Sequence, residues 1–74
     1  MLDKKETVTL SIDSMSCLHC TRRVEDALTA LHGVYGAKAD LEKQTAVVRY
    51  SPSKVTADDM INAVIAAGFG AKVL

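Results

Sequence analysis

The sequence lacks a surplus of either charge: nine basic and nine acidic residues leave a formal net charge of zero. Lys4, Lys5, Arg22, Arg23, Lys38, Lys43, Arg49, Lys54 and Lys72 are interleaved with acids rather than gathered into a stripe, which argues against a nucleic-acid partner. No stretch approaches the ~18 apolar residues of a membrane span. The opening Met1-Leu2-Asp3-Lys4-Lys5-Glu6-Thr7 also lacks the apolar centre of a signal peptide. The expectation is a cytoplasmic chain with no direct membrane insertion. Cysteine occurs only at Cys17 and Cys20, and proline only at Pro52. Two cysteines with no further Cys or His at ligand spacing cannot close the four-ligand tetrahedron of structural zinc. In a cytoplasmic chain such a pair points to metal or redox chemistry rather than to a permanent cross-link.

With 74 residues, 49% of them hydrophobic, the chain has room for one small core. Such a domain buries roughly 60 to 65% of its unfolded surface, and residues 1–74 are expected to form a single domain. Residues 6–12 alternate, with Val8, Leu10 and Ile12 on one face and Thr7, Thr9 and Ser11 on the other, the pattern of a half-buried strand. Asp13 and Ser14 break it. From Leu18 onward, Cys20, Val24, Ala27, Leu28 and Leu31 fall on one helical face, and Gly33 supplies the stop. Residues 34–41 and 45–50 read as a hairpin around Glu42-Lys43-Gln44, the first strand carrying Ala37, Ala39 and Leu41 in phase and the second Ala46, Val48 and Tyr50. Thr56 is a good N-cap, Asp58 and Asp59 suit a first helical turn, and Met60, Ile61, Val64, Ile65 and Ala67 form an apolar face ended by Gly68. Residues 69–73 complete the pattern as a short strand.

The order is βαββαβ. Right-handed crossovers joined by a hairpin give an α+β, ferredoxin-like sandwich: a four-stranded antiparallel sheet with two helices on one face. Threonines, serines and charges alternating along the strands suit a sheet with one solvated face.

The chemistry concentrates in Met15-Ser16-Cys17-Leu18-His19-Cys20, at the passage from strand one to helix one. Unpaired amides and the positive end of the helix dipole favour thiolate there, most of all at Cys20, which also belongs to the apolar stripe. Cys17 is expected to be the more exposed sulfur. Soft thiolates select soft, low-coordination metals such as Cu(I). A dithiol redox protein is the competing reading, although Pro52 is not placed as the cis-proline that faces the thiols of thioredoxin-like domains. Met15 reads as a core side chain under the loop in preference to a thioether ligand, and His19 as an exposed residue tuning the thiols in preference to a third ligand. His32 reads as a surface residue at the far helix end. Arg22 and Arg23 read as a solvated face that can also steer an acidic partner.

The Met-x-Cys-x-x-Cys run, followed by a helix, a hairpin and Ala67-Gly68-Phe69, resembles the heavy-metal-associated domain family over residues 6–73. The resemblance implies a non-enzymatic Cu(I) metallochaperone that carries the ion on Cys17 and Cys20 and passes it to the metal-binding domain of a copper-transporting P-type ATPase. The nearest alternative is that the chain is itself the N-terminal metal-binding domain of a copper, or less readily zinc, transporter. A homodimer bridged by a shared metal is a further partner state. Phe69 is placed by the resemblance beside Cys20, where its ring would exclude water. Ser16 stands where zinc-transporter domains often have Asp, favouring copper. Ser14 stands where the family often has Gly, which predicts a loop less free to enter positive φ.

Overall fold

The computed structural model describes residues 5–74, so the first four residues of the expected single domain lie outside it. The elements are β1 (Glu6–Asp13), α1 (Leu18–Thr29), β2 (Val34–Asp40), β3 (Thr45–Tyr50), α2 (Ala57–Ala66) and β4 (Gly70–Val73). All pairings are antiparallel, in the order β2-β3-β1-β4, the expected βαββαβ arrangement. The alternation in β1 buries Leu10 and Ile12 completely, against Ala46 and Val48 of β3, Val24 and Leu28 of α1, and Met60 and Val64 of α2. β1 is central. Its last residue, Asp13, still pairs with Gly70, so the sheet carries the chain one residue further than the alternation indicates.

α1 ends earlier than expected, whereas α2 ends at Gly68 as expected. α1 stops at Thr29, before Gly33; the Thr29 hydroxyl bonds back to the Glu25 and Asp26 carbonyls, and Leu31 N–H bonds the Leu28 carbonyl in a tightened last turn. Gly33, at φ +101, serves the turn into β2 instead, where a Cβ would lie 2.7 Å from the Lys54 Cβ. α2 opens with a full capping box, the Thr56 hydroxyl accepting from Asp59 N–H at 3.2 Å and the Asp59 carboxylate from Thr56 N–H at 3.0 Å. It closes through Gly68, at φ +100, with Gly68 N–H bonded to Ile65 O and Phe69 N–H to Val64 O, the paired bonds of a Schellman motif. Phe69 therefore terminates the helix rather than beginning the strand.

Two side chains depart from the helical pattern. Ile65, expected on the apolar face, is 53% exposed. Thr21 is buried without belonging to the apolar stripe, its hydroxyl satisfied by the Leu18 carbonyl at 2.7 Å. In β2 the ladder slips between Val34 and Gly36, leaving Tyr35 as an extra residue. Further along, Ala39 N–H donates to the Glu25 carboxylate at 2.8 Å, tying α1 to the outermost strand.

The contrast between Leu28, fully buried, and Ile65 sets a test. Leu28→Ala is expected to cost about 2–5 kcal/mol in urea unfolding, as core truncations do. Ile65→Ala is expected to stay within about 0.5 kcal/mol, as surface substitutions do.

Candidate metal centre

The chain leaves β1 at Asp13 and reaches α1 at Leu18, and the intervening segment is bent rather than extended. Ser14 sits at φ +78, so the position expected to resist positive φ adopts it. The bend turns Met15 inward, where its side chain is 5% exposed and joins the core, as its flexible shape suggests. Ser16, Cys17, Leu18 and His19 follow on the surface.

Cys17 occupies the N-cap of α1 in extended geometry, with φ −160 and ψ 174, and makes no side-chain cap bond. Its carbonyl accepts from Cys20 N–H at 3.0 Å and from Thr21 N–H at 3.3 Å, opening the first turn. That turn brings Cys20 Sγ to 3.7 Å from Cys17 Sγ, both thiols free. The asymmetry expected of them is present: Cys17 is exposed and Cys20 is half-buried against the core. The Cys20 pKa falls from 9.0 to about 7, chiefly because the Ser16 backbone N–H and then the Ser16 hydroxyl, with its oxygen 3.7 Å away, favour the thiolate. Burial opposes them, and the neighbouring Cys17 adds a smaller lowering. Ser16, overlooked in the sequence except as a non-aspartate, thus contributes most.

Among the described residues no group of three or more His, Cys, Asp or Glu is arranged to hold a metal. His19 is exposed, with Leu18, Thr21, Arg22 and Glu25 along the same side of α1. His32 is exposed beyond the opposite end of α1. Arg22 and Arg23 are both exposed, but Arg23 also reaches across to the end of α2, its Nη2 donating to the Ala67 carbonyl at 3.3 Å and its guanidinium 5.9 Å above the Phe69 ring. Phe69, like Cys20, is half-buried against the core.

One residue that the sequence pattern did not single out holds the loop. Gln44, read only as part of a polar turn, accepts from Met15 N–H at 3.1 Å through Oε1 and donates from Nε2 to the Met15 carbonyl at 2.8 Å. Nothing local in the sequence indicates a contact across 29 positions.

Two close thiols, one already inclined to ionise and neither boxed in by further ligands, can grip a soft ion in low coordination and release it to other sulfurs. Comparison with known proteins agrees in kind. The profile of the heavy-metal-associated domain matches residues 9–70. Copper chaperone CopZ of Enterococcus hirae is 36% identical over 64 residues, spanning 86% of this chain and 93% of that protein. A copper-exporting P-type ATPase of Staphylococcus aureus is 34% identical over 68 residues, spanning 92% of this chain and 8% of the transporter. Among solved structures, a CopZ metallochaperone superposes with a TM-score of 0.88 at 34% identity, covering 90% of this chain and 100% of that one.

Ser16→Ala removes the hydroxyl and keeps the backbone N–H, so Cys20 is expected to titrate above about 7 yet below 9.0, followed by thiolate absorbance in the ultraviolet. The sign for folding follows from the lowered value. Cys20 ionisation stabilises the native state fully above the ordinary pKa of 9.0, and the gain disappears as pH falls through about 7. Urea midpoints measured across that window are expected to rise with pH in the wild type and to rise less in Ser16→Ala.

Proposed function

The chain belongs to the heavy-metal-associated domain family, and on that basis we propose that it is a copper metallochaperone that binds Cu(I) on Cys17 and Cys20 and passes it to a partner domain. The observation carrying this reading is the sulfur pair itself: two thiols 3.7 Å apart, one exposed and one half-buried, with no further ligand cluster among the described residues. Thiolate softness and low coordination favour monovalent copper over zinc, which prefers four ligands.

Transfer proceeds by ligand exchange. An incoming thiolate of the acceptor bonds to the copper beside exposed Cys17, Cys17 leaves, a second acceptor thiolate follows, and Cys20 departs last. Copper stays Cu(I) throughout; any proton carried by an acceptor thiol passes to solvent or to a released sulfur. No bond in an organic substrate is made or broken, so the protein acts as a carrier rather than an enzyme. The acceptor of choice is the metal-binding domain of a copper-transporting P-type ATPase, met in the cytoplasm. No helix among the described residues is long and apolar enough to cross a membrane. Leu18, 75% exposed beside Cys17, offers an apolar contact for such a partner. Two loaded copies can also share copper through four thiolates.

The likeness to the transporter favours a second reading, in which the domain works as the N-terminal part of such an ATPase and receives the ion. Its site chemistry is the same. The direction of flow in a two-protein transfer experiment tells the two apart.

Anaerobic competition against a Cu(I) chelator, with Zn(II) titrated in parallel, tests the site. The wild type is expected to hold Cu(I) far more tightly than Zn(II), and Cys17→Ser, Cys20→Ser to lose the binding. Weak Cu(I) binding with reversible disulfide turnover would hand the site to dithiol redox chemistry instead. Both arginines keep an exposed charge that can steer toward an acidic acceptor, and Arg22 is the cleaner probe because Arg23 also bonds the Ala67 carbonyl. Arg22→Glu is expected to slow transfer several-fold at low salt, about 3–10-fold, with unchanged Cu(I) affinity. Equal rates at low salt would remove Arg22 from the docking surface.

A further inference from the structure

Among the described residues, the two non-glycine positions with positive φ are Ser14 and Gln44, at φ 78 and φ 54. They flank one junction. Ser14 immediately precedes Met15, and Gln44 reaches the Met15 peptide from the turn between β2 and β3. Left-handed backbone outside glycine persists where surrounding bonds over-determine it, and such positions gather at functional sites.

Gln44 is an odd choice for the turn alone, because Gly or Asn tolerates that conformation better. Its carboxamide explains the choice. Oε1 accepts Met15 N–H at 3.1 Å, while Nε2 donates both its hydrogens, to the Met15 carbonyl at 2.8 Å and the Leu41 carbonyl at 2.7 Å. Asn is a methylene too short to span this distance, and a carboxylate has no hydrogens for two carbonyls. The backbone carbonyl of Gln44 meanwhile accepts Ile12 N–H at 2.8 Å, so the same residue grips β1 before the bend and the loop after it. Met15 is held twice, by its buried side chain and by this amide pair. Cys17 lies two residues further on.

We propose that Gln44 is a positioning residue: its carboxamide clamps the Met15 peptide and thereby presets Cys17 against Cys20 in the metal-free protein. This rests on the metal-carrying reading of the two thiols. An ion then enters a site whose loop is already ordered, and none of the binding free energy is consumed in arranging it.

Gln44→Met keeps length and apolar bulk but removes all three side-chain bonds, and Gln44→Asn keeps an amide suited to the backbone but out of reach. Amide hydrogen exchange in the metal-free protein reads the clamp directly. Met15 N–H is expected to exchange on the order of tenfold faster in both variants. Ile12 N–H, bonded to the backbone of Gln44, is expected to keep its wild-type rate and so reports an intact hairpin. Cu(I) affinity is expected to fall about 3–10-fold in both. Unchanged Met15 exchange, or unchanged Cu(I) affinity in both variants, overturns the proposal. Parallel loss of Ile12 protection also overturns it, since Gln44 would then be a part of the hairpin and no more. A wild type that fails to bind Cu(I) overturns the loading role together with the metal reading, and Met15 exchange still reports separately on the clamp.

Discussion

Met15 is where the core of this molecule stops and its chemistry starts. β1 delivers the chain to the end of the sheet, the left-handed Ser14 turns it, and the Met15 side chain is the last group buried before four surface residues. Ordering an exposed loop costs about 1–2 kcal/mol per residue in backbone entropy, which a site built only from loop residues would have to recover from its ligand. Anchoring the chain two residues ahead of Cys17 moves most of that cost into folding. The sulfurs can then be both accessible and fixed, two requirements that normally conflict on a loop.

The two helices show how the site is kept chemically open. α2 satisfies its first amides with Thr56 and Asp59, an arrangement that closes the end of a helix. α1 places a cysteine at the equivalent N-cap and uses no side-chain oxygen there. The positive end of α1 is therefore left for anionic sulfur, and Ser16 directs its own N–H and hydroxyl to Cys20 rather than to the helix. A serine or aspartate at position 17 would make a better-capped helix and a poorer home for a soft ion.

Much of this was legible from periodicity. The bounds of β3, the buried faces of β1 and α1, the Thr56 cap and the placement of the cysteines all follow from patterns within ten or so neighbouring residues. The departures come from contacts that no local window contains. Ile65 repeats with the apolar face of α2, yet it stays largely in solvent while Met60 and Val64 are buried. Phe69 looks like the first residue of a strand but is claimed by the end of α2. Arg23 looks like half of a basic pair but finds a carbonyl 44 positions away. Ser14 tolerates a conformation better suited to glycine because Met15 is held from two directions, and one of those directions is Gln44. Long-range polar contacts of this kind leave no spacing to read.

The bond from Ala39 N–H to Glu25 has a consequence beyond tying α1 to the sheet. In the order β2-β3-β1-β4, β2 is an outer strand, and outer strands present unpaired amides to which a neighbouring chain can add. Glu25 occupies one such amide with a carboxylate, and the extra residue at Tyr35 disturbs the ladder near the other end of the strand. An extended segment approaching this border meets an occupied donor and an irregular register where growth of a fibril would need a straight, vacant template. The same helix that carries the sulfurs thus also occupies a donor on the β2 border of the sheet.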